Sequence, residues 1–593
     1  MFRQLIRKWS GPKVYNPKSI RPEGVMGKNY SIFSHEYDVI IVGGGCAGLR
    51  AGIALAEKGY HTGILSKIFP TRSNSVLATE GLSASLDYQN HDSWEFHAYD
   101  TEKKSLGMSS KSSVVKLCKQ GPQAVYDIEN YGMPFNRTPE GKILQIKSFG
   151  QTKNYGQEEV FRTAIAGNRI GHCMLQTLTS KAMKVDCRLL VDYTALDLIL
   201  FDGICHGIIS LQNCTGDVHV IKSHSTILAT GGFGSAFKET AQSRTCTGDG
   251  QAMISRANLP LQDLEFIDFC PLGLYPKGIK LPNELVFMGN LVNNDGQNLK
   301  IDANLDKDQI VRIIAQEIAQ GRGVGPDKNH LHLDLRKVKD WQLEQTYKGL
   351  RNFIRNLGGI DPETTLVPVS PSMYFNIGGI PTDSNSQVFS NTIKSPVQGL
   401  YAIGEVASSS IHGASIIPGN PLLETLVYGK AVADIIESIV GPKSSHKDFP
   451  HYIIDQTIER IEKYRIAKGS ITLSEVANRL RHTMSNHFGA LRSEQSMNEG
   501  LRKVYEIAEM MKDVKIRNRG FIYNMEVLEC LELENMILLC KQALAAGKDR
   551  QETRGVHVRE DYPDMINPAQ HSLTWLKDID KVVSVKFSQV EIV

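Results

Sequence analysis

At 593 residues the chain can bury a large core and divide into about three or four domains. Apolar residues make up 41% and charged residues 22%, as in globular proteins, and no run approaches the roughly 18 uncharged apolar residues that cross a bilayer. A net charge of +3 is too small to argue for nucleic acid, and ten scattered cysteines without a C-x-x-C pair signal neither a zinc nor an iron–sulfur centre, so no metal is expected.

The first 22 residues carry Arg3, Arg7, Lys8, Lys13, Lys18 and Arg21 and no acid before Glu23. Residues 1–34 therefore read as a basic, transit-peptide-like leader, with a disordered basic tail as the alternative. A leader of this kind predicts a mitochondrial protein.

Tyr37 to Lys67 organises the rest of the chain. The apolar run Val39 to Val42 enters a glycine turn, leaves as a helical stretch holding Leu49, Ile53 and Leu55, and is succeeded by a second strand-like run, His61 to Leu65. This is a βαβ unit. Gly43, Gly45 and Gly48 fit G-x-G-x-x-G, with Cys46 and Ala47 at the helix start. The first glycine permits the turn, the second lets the backbone approach a pyrophosphate, and the third lets helix and strand pack closely. Free N–H groups at the helix start then face the phosphates. An ordinary turn in an α/β domain is the bland alternative. Ser66 and Lys67 stand where an acid is expected at the end of the second strand, which argues against a standard NAD ribose clamp.

A loop with Ser73, Asn74, Ser75, Thr79 and Gly81 comes next and would lie over the flavin if the nucleotide is FAD. Ser225 to Gly234 reads as a buried strand ending in Ala229, Thr230 and Gly231, with Asp249 shortly after. A third return, Gly399 to Glu405, delivers a carboxylate to a ribityl hydroxyl, and Asn420, Leu422 and Leu423 complete the predicted cofactor set. Tyr452 to Arg481 and Ala490 to Asn518 alternate charged and apolar residues with helical period, after a linker signal at Gly441 to Ser445. The mixed charges of Arg460 to Lys468 read as a solvated helix face.

These segments, together with Glu129 to Phe135, Asp263 to Phe266, Gly321 to Pro326, Asn376 to Thr382 and Arg554 to Tyr562, make the chain similar to the flavoprotein subunit of succinate dehydrogenase (respiratory complex II) and its fumarate reductase relatives, from about His35 to about Pro563. No match is evident over Asn567 to Val593. The resemblance implies an α/β protein: a Rossmann-like FAD-binding domain in two segments (35–262 and 367–440), interrupted by an α+β capping domain (263–366), then a helical domain (446–548) and a small C-terminal region (549–593). It implies FAD as cofactor, an iron–sulfur subunit and other respiratory-complex subunits as partners, and a place on the matrix side of the inner mitochondrial membrane.

The resemblance also implies a set of substrate groups that this sequence does not keep. The histidine that bonds the flavin is Asn74, so FAD would be held non-covalently. The F-H-P-T-G stretch is Phe269 to Gly273, with Cys270 and Leu272 in place of imidazole and hydroxyl. No arginine or histidine lies between Gly278 and Asn293; Leu285 or Val286 takes the place of the proton-transfer arginine. Another arginine of the proton path is Lys307, the substrate histidine is Tyr374, and the carboxylate-clamping arginine is Ile416. Such a pocket is predicted to be apolar. Burying a dicarboxylate there costs several kcal/mol per unpaired charge, and losing the proton-transfer group costs orders of magnitude in rate.

The leading expectation is thus a pseudoenzyme with a structural role in a respiratory assembly. The alternatives are an active succinate dehydrogenase subunit of electron transport and the tricarboxylic acid cycle with a remodelled site, and an FAD oxidoreductase for a less anionic substrate. For the latter Cys270, Tyr374 and His412 are the polar candidates. Against that stand an inert thiol at Cys270, volume filling by Tyr374 and core packing of His412.

Overall fold

The computed structural model describes residues 18–19, 30–86, 91–339, 341–343, 347, 349–390, 395–576 and 583–589. Most of the leader expected over 1–34 lies outside the described residues.

A nine-stranded sheet holds the first layer. Its main path uses β1 (Ile32–Val42), β2 (Thr62–Ser66), β3 (Arg188–Val191), β4 (Tyr193–Phe201), β5 (Ile204–Gln212), β6 (Val218–Leu228) and a later strand, Pro396–Ala402, in the order β4-β5-Pro396–Ala402-β6-β1-β2-β3. Val39 to Val42 are buried on both faces, which is why they read as a continuous apolar run rather than an alternating one. Parallel pairing sets Leu228 beside Val42, Val42 beside Leu65, and Leu228 beside Ala402. The turns after these four ends therefore leave one edge of the sheet together. That register is what brings stretches separated by hundreds of residues to one place.

Helix α1 (Cys46–Glu57) covers one face with α2 (Asn420–Ile439). The two helices approach closely because Gly429 has no side chain: a Cβ there would lie 2.8 Å from Cβ of Arg50 and 2.9 Å from the Ala47 carbonyl oxygen.

A second, antiparallel sheet of six strands forms the cap. Ile279–Lys280 is its edge, and next to it come β7 (Ile267–Leu274), β8 (Val367–Asn376), Leu331–Asp334, Asn290–Val292 and Asn298–Leu299. Its core holds Leu272, Leu285, Val286, Ile310, Ile314, Leu333 and Val367. Because β8 pairs with β7 within this sheet, the chain returns to the first layer after Asn376 rather than at residue 367.

Four helices come next along the chain: Tyr452–Arg465, Leu473–His487, Glu494–Met510 and Met525–Asp549. The last is apolar and buried around most of its circumference, as a helix surrounded by others must be. The expected solvated face at Arg460 is corrected: its guanidinium is mostly buried and pairs with Asp197 of β4 and Glu534, both at 3.0 Å, tying the helices to the first sheet. A carboxylate on β4 needs a cation when it is covered, and Arg460 supplies it with Arg256 at 2.7 Å. Gln570–Leu576 closes the chain back on the body, pairing antiparallel with Leu261–Gln262.

Candidate functional site

The shared edge of the sheet opens into a cleft with about 1340 Å³ of atom-free space. Gly43 turns the chain at its floor with φ +120°, and a Cβ there would lie 2.1 Å from the Ala229 carbonyl oxygen, so no other residue fits. Gly45 starts α1 in extended conformation with no capping side chain. The first-turn N–H groups of α1 have no partner within the helix and point towards the cleft, a ready cradle for a pyrophosphate. Cys46 N–H makes one contact, to the Ser75 hydroxyl at 3.3 Å. The Ser73 hydroxyl, buried and facing the cleft, has no partner of its own. An open N-terminus beside an orphaned hydroxyl fits a bound dinucleotide.

Lys67 explains the missing acid. Its ammonium meets Asp249 at 2.9 Å, Glu532 at 2.6 Å and the Thr247 hydroxyl at 2.8 Å. Burial alone would lower this lysine, but the two carboxylates outweigh it and hold its pKa above the ordinary range. Asn74 lines the cleft, with Oδ1 accepting the Ser243 N–H at 2.8 Å. Glu405 accepts the Asn376 N–H at 3.0 Å and a hydrogen bond from the Gln242 amide. Burial pushes its carboxyl up to about 7, with those hydrogen bonds offsetting part of the effect.

Gly43, Gly45, Cys46, Ala47, Ser66, Lys67, Ser73, Asn74, Ser75, Ala229, Thr230, Gly231, Asp249, Glu405 and Leu422 all line this cleft. Gly48, Thr79, Gly81, Asn420 and Leu423 do not. Gly48 serves packing, since a Cβ would lie 2.0 Å from the Gly43 carbonyl oxygen. Gly81 backs onto Thr163 and Ala164, and Leu423 fills the core against Gly121. The Asn420 side chain turns inward, bonding His97 Nε2 at 2.7 Å and the Thr101 hydroxyl at 3.0 Å. Sequence reasoning missed Gln242, Thr245, Cys246 and Lys280, which lie on loops and an edge strand without a motif.

At the cap side of the cleft the expected apolar pocket is corrected to a buried charge cluster. Lys280 and Tyr374 form the wall, and behind them Glu80 is ion-paired with Lys280. Glu80 also accepts from Asn283 Nδ2 and from the Tyr374 hydroxyl, both at 3.2 Å. The Tyr374 ring has the Lys280 ammonium 3.8 Å from its centroid and that of Lys307 at 6.0 Å. Lys307 donates to both oxygens of Asp268 at 2.6 Å. Lys104 adds pairs to Asp306 and Asp308 at 3.1 and 3.0 Å, and Ser415 donates to Asp308. Burial would raise Glu80, but Lys280 and Lys307 outweigh it and hold its carboxyl below the usual range. Burial raises Asp268 to about 6, with Lys307 pulling against it. The physical reason for the correction is that a lysine can stand where arginine and histidine are absent, and that Glu80 reaches it from a distant loop.

The other replaced positions are scattered. Leu272, Leu285 and Val286 belong to the cap core, and Ile416 packs with Phe266, Ile377 and Ala414. Cys270 is buried on β7, its thiol pushed up to about 11 by burial, and so is inert. Tyr374 does donate a hydrogen bond, to Glu80. His412 is buried and paired through Nε2 with Glu424 at 3.0 Å.

Residues 38–422 match the family model described as FAD binding domain, and residues 477–593 match that described as Fumarate reductase flavoprotein C-term. The second match covers Asn567 to Val593, where no motif is evident by eye. The succinate dehydrogenase flavoprotein subunit of Rickettsia bellii is 36% identical over 571 residues, covering 94% of this chain and 96% of its own. The mitochondrial succinate dehydrogenase [ubiquinone] flavoprotein subunit of Oryza sativa is 37% identical over 546 residues, covering 90% and 87%. Among solved structures, FrdA of Escherichia coli quinol fumarate reductase superposes with a TM-score of 0.85 at 25% identity, covering 94% of this chain and 97% of that one. Mycobacterium smegmatis Sdh1 in complex with UQ1 gives 0.83 at 26%, covering 94% and 95%. The dinucleotide that this cleft takes is FAD.

Proposed function

The chain belongs to the succinate dehydrogenase and fumarate reductase flavoprotein family, and from that premise we propose that it is a flavin-carrying subunit that does not turn over succinate. The observation that carries this reading is the charge balance at the cap side of the cleft. Lys104, Lys280 and Lys307 face four carboxylates of the chain itself, Glu80, Asp268, Asp306 and Asp308. A dianion needs fixed positive groups to replace its water, and here those groups are already matched. Asp306 is half-exposed and screened by water, and the three ammoniums are already balanced by Glu80, Asp268 and Asp308, which leaves no fixed positive charge over for a second pair of negative charges.

FAD supplies a two-electron acceptor when bound. Gly43 to Ala47 and Ser73 would hold its phosphates and Glu405 its ribityl chain. No histidine lies between Ile68 and Asn90, and none lines the cleft among the described residues, so the flavin is held without the histidyl bond. We place the protein in a mitochondrial respiratory assembly beside an iron–sulfur partner. Support comes from the basic leader and from the rice and Xenopus laevis relatives, whose names carry the word mitochondrial.

The test is succinate-dependent dye reduction and viologen-dependent fumarate reduction by the purified, FAD-loaded chain, with the flavin tracked after acid precipitation. Expected are no turnover above the protein-free rate and all flavin in the supernatant. Turnover at the rate of an ordinary relative overturns the reading. A second reading, oxidation of a less anionic substrate, is favoured by Tyr374 and Lys280 lining the cleft wall with their polar ends already engaged by Glu80; flavin bleaching by one member of a metabolite panel supports it.

A further inference from the structure

We propose that Glu80 is a tethered carboxylate ligand that occupies an anion site formed by Lys280, Asn283 and Tyr374, and that vacating it creates a site for a small monocarboxylate. The inference rests on the proposed non-catalytic role and deepens it, because it names what keeps the cleft closed to anions. All three donors come from the cap: Lys280 from its edge strand, Asn283 from the turn after it and Tyr374 from β8. The acceptor comes from the loop after Asn74 that lines the flavin cleft. Both Glu80 oxygens are engaged, Oε1 by Lys280 and Asn283 and Oε2 by Tyr374. That is the coordination a free carboxylate would receive from an ammonium, an amide and a phenol. The contact also ties the cap to the loop that lines the flavin cleft.

The class of ligand is set by the neighbouring charges. Lys307 remains matched by Asp268 whatever happens at Glu80, so only one positive charge is released. A single carboxylate balances it. A second one would face Asp268 and Glu284, whose side chain bonds the Tyr347 hydroxyl at 2.9 Å in the same region.

Glu80→Ala removes the two-carbon length and charge of the side-chain end, which acetate replaces in size and chemistry. Acetate is titrated into the FAD-loaded protein at matched ionic strength, with calorimetry and the thermal midpoint as readouts. Glu80→Ala is expected to bind acetate saturably at least ten-fold tighter than wild type, and malonate no tighter than acetate. Glu80→Ala combined with Lys280→Met is expected to lose that binding. Absence of saturable binding in Glu80→Ala, equal binding by wild type, or binding that survives loss of Lys280 overturns the proposal. If Glu80→Ala does not accumulate, Glu80→Thr, which leaves an acceptor for Lys280 but vacates the carboxylate position, is read by the same criteria. Succinate turnover is scored separately on wild type. Turnover there sinks the non-catalytic role, whereas missing acetate binding sinks only the tethered-ligand proposal.

Discussion

Lys307 and Asp268 share two hydrogen bonds of 2.6 Å in a nearly waterless setting, and such a pair is most sensitive to losing one member. Lys307→Met leaves Asp268 buried beside Glu80 and Asp308 and is expected to cost about 3 kcal/mol or more. Lys307→Met with Asp268→Leu removes both charges and is expected to recover most of that loss. Urea midpoints of the three proteins check it; a double variant no better than the single one refutes the pairing as the cause. Glu405 gives a pH dependence of opposite sign to a salt-bridged acid. Its folded pKa of about 7 lies above the ordinary 4.5, so the fold favours the neutral form. Its stabilising contribution is complete below about pH 4.5 and is lost as pH rises towards 7, by up to about 1.4 kcal/mol per unit. Glu405→Gln is expected to flatten the stability–pH curve over that window, measured as the difference between the two proteins. Neither the Lys307 pair nor the Glu80 pair is legible in the chain. Glu80 and Lys280 stand 200 positions apart, and a count of arginines and histidines passes over a lysine. By contrast Asn74 in place of histidine is plain, because one local segment fixes its place.

The turn into α1 separates two roles that glycine plays in the same motif. At Gly43 the left-handed backbone and the Ala229 carbonyl exclude any side chain, so Gly43→Ala is expected to destabilise the whole protein. At Gly45 the backbone is ordinary, and a Cβ meets only the Ser75 hydroxyl at 3.4 Å and the Ser73 hydroxyl at 3.9 Å, with space towards the cleft. Gly45→Ala should therefore keep the thermal midpoint of the flavin-free protein while weakening FAD binding about ten-fold or more, as seen by flavin fluorescence titration. Equal FAD affinity in wild type and Gly45→Ala would show that the helix start does not hold the phosphates. Elements built this way are legible from sequence because the constraint is local: strand, turn and helix lie within roughly 30 residues. The extent of the cap is not local. β8 carries no mark of which sheet it joins; only its pairing with β7 decides that.

At the scale of the whole molecule, charged contacts fasten the later parts of the chain to the first sheet. Arg460 and Arg256 hold the helices to Asp197, and Gln570–Leu576 holds the C-terminal segment to a turn that carries two buried acids. Asp263 receives His571 Nδ1 at 2.5 Å and the Ser572 N–H at 3.0 Å. Glu265 receives the Ser572 hydroxyl at 2.8 Å and Arg550 at 2.6 Å, and Arg550 in turn donates to the Gln570 carbonyl at 2.9 Å. These acids are 3% and 0% exposed, so water cannot stand in for a lost partner. A chain ending at Pro568 would strip Asp263 of both its near donors and Glu265 of one, at about 1–3 kcal/mol for each group left unmatched. It is expected to lower the thermal midpoint by about 5 °C or more and to expose the turn to proteolysis next to Leu261–Gln262. Ser572→Ala, which removes a single hydroxyl, should lower it by a smaller step, because Glu265 loses that donor but keeps Arg550, and Asp263 keeps both of its donors. A truncated chain that melts with the full-length protein would mean that the C-terminal strand lies on the body without supporting it.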